Sequence, residues 1–242
     1  MTTSAPVAFL AVGEDGALLR TSRGDCPGSR RPDVTVATGT DQAPAARTVP
    51  GLRTVVGAQA VSRRNLAIVG LNRRCRAGVY SSDDGGRTWA RSVGDAGQWH
   101  LNGDPTARSV VSPTGRRHTP CVPRSLSPLD ATAARVLCED GVVLGTEDVG
   151  ATWITLGTLP GAVDIRYTAP AAGVALATLP KCPAAAMQTS DGGATWQRLA
   201  CLPGRRPRAV AAQGSVMAAQ VGSRLYVSTD SGSHWRDLHW DK

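Results

Sequence analysis

The sequence predicts an all-β β-propeller of four-stranded antiparallel blades, five by the first count, with six or seven as alternatives. Three observations carry this: a turn-rich composition, an octapeptide that recurs four times, and strand-like runs flanking each copy. Gly 27 and Pro 16 in 242 residues suit a β chain with many turns, and 41% hydrophobic residues supply apolar runs along the whole length, unlike a disordered chain. No apolar stretch reaches the roughly 18 residues of a bilayer span; the longest candidate, Ala169–Pro180, is too short and carries Gly and Thr. The length fits one domain, 1–242.

The octapeptide reads (Ser/Thr)-x-Asp-x-Gly-x-(Thr/His)-Trp. Its first two copies place Ser82, Asp84, Gly86 and Trp89, then Thr146, Asp148, Gly150 and Trp153. The last two place Thr189, Asp191, Gly193 and Trp196, then Ser228, Asp230, Gly232 and Trp235. Each is preceded by an apolar run such as Ala77–Tyr80 or Leu225–Val227 and followed by another such as Trp196–Leu199, so each reads as strand, tight turn, strand. The Asp can accept turn amides, the Gly permits positive φ, the hydroxyl adds a local bond, and the Trp packs over the hairpin.

Cys75 and Cys182 each lie seven residues before a box, and the similar run Ala17–Cys26 places a fifth, degenerate box near Ala37–Asp41. Box starts near 37, 82, 146, 189 and 228 then define a unit of about 42 residues, with a surplus near 97–120 expected to be an inserted loop segment. Hairpins at Val7–Thr21 and Ala134–Gly145, each turning on an Asp-Gly pair, supply further strands. A four-stranded sheet repeated at this period cannot bury both faces alone, so the copies must pack radially; a stacked solenoid is the runner-up.

The formal net charge is +8, and every cation except Lys181 and Lys242 is Arg. The clusters Arg30-Arg31, Arg63-Arg64, Arg73-Arg74-Cys75-Arg76, Arg116-Arg117 and Arg205–Arg208 sit in loop-like contexts without interleaved aromatics. That pattern reads as a solvated basic surface and disfavours nucleic acid as a partner. Six cysteines lack zinc-like spacing, so neither a metal nor another cofactor is expected. Cys182 and Cys201 are equidistant from the turn Ser190–Gly193, and Cys121 and Cys138 are symmetric about Ser127–Asp130, leaving Cys26 to pair with Cys75. Three disulfides imply a secreted or cell-envelope, extracytoplasmic location. Met1–Pro6 is polar and Val7–Val12 lacks a charged flank and cleavage site, so the expectation is a mature domain with Met1 as an added start. A complete cytosolic product with reduced thiols is the alternative.

The four boxes resemble the Asp-box, or BNR, repeat of the sialidase-like β-propeller superfamily. The resemblance covers most of the chain as a repeat but rests on the octapeptides alone. It implies that each box sits on the turn between the third and fourth strands of a blade, away from the axis, where Asp84, Asp148, Asp191 and Asp230 shape turns. The superfamily includes sialidases, other glycosidases, a photosystem assembly factor and sorting receptors, so function must be argued from the site. A sialidase site would need an arginine triad, a Tyr activated by a Glu, and an Asp acid/base. The three glutamates, Glu14, Glu139 and Glu147, fall at hairpin tips; Tyr80 and Tyr226 share a packing position before their boxes; and the Arg-Ile-Pro signature is missing. The resemblance therefore points to a non-sialidase member.

Outside boxes and turns, Asp104, Asp164 and Asp95 remain as carboxylates for other glycosidase chemistry. Val163–Tyr167 reads as an inner strand with Asp164 and Tyr167 on opposite faces and Arg166 on the Asp164 side; a strand-end salt bridge is the structural alternative. The segment 97–120 offers Trp99, His100, Asp104, Arg108, Arg116 and Arg117 as ligand contacts on a propeller face. Few aromatics fall outside the boxes, which favours a protein-binding surface over a lectin. The expected function is a non-catalytic binding or scaffold module for a protein or carbohydrate-polymer partner; the alternative is a glycoside hydrolase or lyase using Asp164, Arg166 and Tyr167 in the axial pocket.

Overall fold

The computed structural model describes residues 8–24, 26, 31–38, 45–93 and 97–238. Residues 39–41 of the degenerate box, Asp95 and Trp240 lie outside these. Short apolar runs interrupted by Gly- and Asp-bearing turns fold into six antiparallel sheets. Blade one joins β1 (Ala8–Val12), β2 (Ala17–Ser22), β3 (Val34–Thr38) and β4 (Ala45–Arg47). Blade two joins β5 (Leu52–Ala60), β6 (Leu66–Asn72), β7 (Ala77–Ser82) and β8 (Ala90–Val93). Blade three has three strands, β9 (His100–Leu101), β10 (Ser109–Ser112) and β11 (Gly115–His118). Blade four joins β12 (Pro123–Pro128), β13 (Ala134–Cys138), β14 (Val142–Thr146) and β15 (Ile154–Thr158). Blade five joins β16 (Ala162–Tyr167), β17 (Gly173–Leu179), β18 (Cys182–Thr189) and β19 (Gln197–Cys201). Blade six joins β20 (Pro207–Gln213), β21 (Val216–Val221), β22 (Arg224–Ser228) and β23 (Arg236–Leu238).

The innermost strands of neighbouring blades pack against one another, β9 taking that place in blade three, and β20 meets β1 to close the ring. The molecule is thus a six-bladed β-propeller, the six-blade alternative rather than the first count of five. The difference lies in 97–120: the segment expected as an inserted loop holds β9, β10 and β11 and forms blade three. Its innermost strand runs against those of the other blades. Trp99 Nε1 donates to Asp130 O, just past the C-terminal end of β12, at 3.0 Å. Four residues on, Gly103 O accepts from Arg23 Nη2 at 2.9 Å, beside the Gly24–Thr54 bridge near the start of β5. Strand β9 therefore has the sense of a second strand, and among the described residues blade three has no first strand.

First-to-second and third-to-fourth connections share one face, the turn face. Second-to-third loops and blade-to-blade connections share the other, the disulfide face, because Cys26–Cys75, Cys121–Cys138 and Cys182–Cys201 all lie there. The three bridges are those expected from turn symmetry.

Core residues sit between blades. Between blades four and five, Leu137 and Val143 meet Ile165, Ala175 and Ala185. At the closing seam Ala8, Leu10 and Leu18 meet Ala209, Ala211 and Leu225. Leu10, Leu18 and Leu225 are fully buried, each worth about 1.5–3 kcal/mol relative to exposure.

The four octapeptides occupy the turns β7–β8, β14–β15, β18–β19 and β22–β23, between third and fourth strands. In the third, Thr189 Oγ1 donates to Asp191 Oδ1 at 2.8 Å and accepts from Gly193 N at 2.9 Å, while Thr195 N and Oγ1 donate to Asp191 at 2.9 and 2.6 Å. The same bonds recur around Asp84, Asp148 and Asp230. Trp89 and Trp235 add an indole N–H donated to Gly86 O and Gly232 O, each at 3.0 Å. Both central turn residues are left-handed; where Gly85 and Gly192 stand in two boxes, Val149 (φ 60°) and Ser231 (φ 58°) stand in the others.

Candidate functional site

The missing first strand of blade three leaves a bay beside the axis, and it opens on the turn face as a cavity of about 490 Å³. Five blades reach it through the C-terminal ends of their inner strands or the turns that follow, and blade three through β9 and the residues before it. Phe9, Ala11 and Val12 come from blade one, Val56–Ala60 from blade two, and Leu126 and Pro128 from blade four. Ala67 and Val69, on the second strand of blade two, also line it. In blade three the gap is filled in part by Trp99, His100 and Leu101, which are 7%, 3% and 5% exposed. Gly57 packs against them, its Cα so placed that a Cβ would sit 3.6 Å from the Cβ of His100.

Polar groups at the cavity are few. Gln59, Gln98 and Gln213 supply amides, and Arg166 spans toward blade one, its Nη2 3.4 Å from Leu10 O. His100 Nδ1 lies 2.8 Å from Leu101 O. Asp130 is the one carboxylate among the described lining residues. Its Oδ1 already accepts from Thr132 N, Thr132 Oγ1 and Ala133 N at 2.7–2.8 Å, and these bonds hold its carboxyl below the usual range. It stays ionised and cannot serve as a proton donor near neutrality. Two carboxylates facing each other across a cleft, the arrangement glycoside hydrolysis needs, do not occur in this cavity among the described residues.

Asp164 lies outside that lining. A β-bulge at Val163 turns its carboxylate between blades, where it accepts from Ser125 Oγ of blade four (2.5 Å), Ile165 N (3.0 Å) and Val210 N of blade six (2.8 Å). Burial raises its pKa, and the charge of Arg166 opposes the rise. Three blades are thereby tied through one side chain. Tyr167 points the other way, as expected: it is buried, donates to Gly192 O at 3.0 Å and meets Trp196 edge-on at 6.2 Å. Burial pushes its phenol up, so it is held neutral. Glu147 pairs with Arg135 at 2.8 Å, and Arg135 stacks over the Tyr167 ring. Asp164, Arg166 and Tyr167 are therefore adjacent in sequence but engaged with different partners.

The six residues offered by 97–120 do not form one cluster. Trp99 and His100 reach the cavity, but Trp99 is buried edge-on against Trp153 at 6.5 Å. Asp104 and Arg108 lie on the opposite, disulfide face, where Asp104 accepts from Thr106 N and Oγ1. Arg116 is exposed on β11, and Arg117 is tied to blade four through Nε to Val149 O at 3.2 Å. The box aspartates sit on four separate outer turns, and no grouping of described residues could hold a metal ion. Phe9, Gln59, Gln98 and Gln213 escaped sequence reading because only ring closure brings inner-strand ends together.

No protein-family model and no curated protein matches this chain. Solved structures do. An Aleuria aurantia lectin in complex with α-methyl-L-fucoside matches with a TM-score of 0.56 at 11% identity, over 98% of this chain and 95% of that one. A structure of YCF48 bound to D1 peptide matches at 20% identity and TM-score 0.39, over 78% of this chain and 56% of that one. A GH74 xyloglucanase from Xanthomonas campestris matches at 17% identity and TM-score 0.40, over 94% and 37%. The chain thus spans about half or less of the length of the last two. These likenesses are to β-propellers and concern the fold.

Proposed function

We propose that this chain is an Asp-box propeller acting as a non-catalytic, extracytoplasmic binding or scaffold module, with the axial cavity and its surrounding turns receiving a protein or carbohydrate-polymer segment. The observation that carries this reading is the cavity's chemistry: amides and Arg166 set among apolar side chains, and one carboxylate whose Oδ1 already accepts three hydrogen bonds. Such a lining suits recognition by shape and hydrogen bonds. Three disulfides support the location, since such bridges persist in oxidising compartments. Among the described residues no helix is long and apolar enough to cross a membrane.

The test is a screen of peptide and glycan arrays with wild type and Ala58→Trp, which fills the cavity from a half-buried position. Binding that Ala58→Trp abolishes, together with no turnover of a panel of aryl glycosides, is expected. Turnover that Asp130→Asn removes would overturn the reading in favour of hydrolysis.

A further inference from the structure

Charge is segregated between the two faces. On the turn face the box aspartates are joined by Glu14, Asp15, Asp83, Asp130 and Glu147, against Arg63, Arg64 and Arg87 and, tied to turns or to the cavity, Arg47, Arg117, Arg135 and Arg166. On the disulfide face the order is reversed. The β6–β7 loop exposes Arg73, Arg74 and Arg76, the β17–β18 loop Lys181, and the connection from blade five to six Arg205 and Arg206. Arg31 and Arg108 add exposed cations from blades one and three. The acids there are Asp33, Asp104, Glu139, Asp140 and Asp237, the last paired with Arg224 at 3.6 Å. The clusters at Arg73–Arg76 and Arg205–Arg208, with Arg31, thus lie on one side, while Arg63-Arg64 and Arg117 lie on the other.

Two further features shape that side. Inner strands β5, β12 and β20 each skip one residue in register near their first residues, and the bulged residues are Arg53, Arg124 and Arg208, of which Arg124 donates to Ala162 O of blade five at 2.8 Å. Bulges re-aim a side chain out of the ladder. The disulfides also fall within the cationic loops: Cys75 stands between Arg74 and Arg76, Cys182 follows Lys181, and Cys201 precedes Arg205. The charges are therefore held on cross-linked loops, which lowers the ordering cost of binding.

No aromatic side chain occurs in the described loops of this face, so stacking on bases or sugar rings is not available. The cavity described above opens on the other face. Exposed cations spread over five blades of one face match an extended anionic surface better than one peptide in a groove, and guanidinium forks match phosphate geometry. We infer that the disulfide face docks on a bilayer bearing anionic phospholipids, its arginines contacting headgroup phosphates. This goes beyond the proposed cavity ligand and does not depend on it.

Co-sedimentation with phosphatidylcholine vesicles containing or lacking phosphatidylglycerol tests it. Binding is expected only with the anionic lipid and should vanish near 0.5 M salt, where the Debye length is only about 4 Å. Each lost basic residue near the surface should weaken partition about fivefold, so R205E/R206E should lower it at least twentyfold. R73E/R74E, in a different loop, should do the same. R63E/R64E changes net charge equally on the turn face and should alter partition less than about twofold, with circular dichroism confirming that all three variants fold. Absence of partition, or equal loss in all three, would overturn the inference. So would retention on poly-glutamate without vesicle binding, which would assign the face to an acidic polypeptide.

Discussion

Replacing Thr189 with Val removes one hydroxyl while leaving the side-chain shape nearly unchanged. Thr189 is 5% exposed, and its Oγ1 is the acceptor for Gly193 N at 2.9 Å. Without it a buried amide at the tightest point of the turn loses its partner, a cost of about 1–3 kcal/mol. The bond to Asp191 is lost too, but that carboxylate is exposed and water replaces the donor. For a domain of this size each kcal/mol shifts Tm by roughly 2–4 °C, so the transition should fall by roughly 2–12 °C. Differential scanning calorimetry of Thr189→Val against Thr195→Val gives the comparison, because Thr195 Oγ1 bonds the same aspartate at 2.6 Å from an exposed position. The exposed variant should cost clearly less. Equal losses, or a fall under 2 °C for Thr189→Val, would refute the view that the buried hydroxyl, more than the visible Asp–Thr pair, holds the turn.

Ser231→Gly should raise stability by about 0.5–1 kcal/mol, because an exposed non-glycine residue there occupies the left-handed region; an unchanged or lower Tm would refute it. Removing Cys26–Cys75 by double Ser substitution should cost more than removing Cys182–Cys201, about 4 against about 3 kcal/mol in the chain-entropy model, because the sequence separations are 49 and 19. Chemical denaturation of the two variants checks the order. Acid should also destabilise the protein. The Thr152 hydroxyl and amide hold the Asp148 carboxyl down to about 2, and equivalent donors lower Asp84, Asp191 and Asp230. The folded state thus takes up protons less readily than the unfolded chain, whose aspartates titrate near 3.9. The contribution is complete above that value and fades as pH falls through the folded values, so a Tm that stays flat from about pH 5 to about pH 2 would contradict these bonds.

The boxes were legible because their function is local: hydroxyl, carboxylate and Trp act within eight residues, so the pattern survives in the sequence. Disulfide pairing was legible for a related reason, since two bridges close hairpins. The register is less even than that symmetry assumes: Ala185, not Cys182, stands opposite Cys201, with a bulge between Ala186 and Met187. Blade three was hidden. Its inner strand is two residues long, its outer strand reads Gly-Arg-Arg-His, and it carries no box, so neither alternation nor repeat marks it. The cavity was hidden by the same cause, being the space that blade leaves. Asp164 and Tyr167 were correctly set on opposite sides of β16, but alternation could not say that one joins three blades while the other packs under a Trp.

Each blade is cut from one uninterrupted stretch of chain, and within the described residues no strand from one end completes a sheet begun at the other. The ring therefore has no clasp: the junction between its last and first segments is an apolar seam like those between blades one and two, three and four, four and five, and five and six. A gene for such a molecule can gain or shed a forty-residue cassette, or be cut and rejoined at a different blade border, without orphaning a strand. Circumference is then fixed by how steeply neighbouring wedges tilt, and a wedge short of one strand, as the third is, becomes the natural place for the circle to absorb misfit.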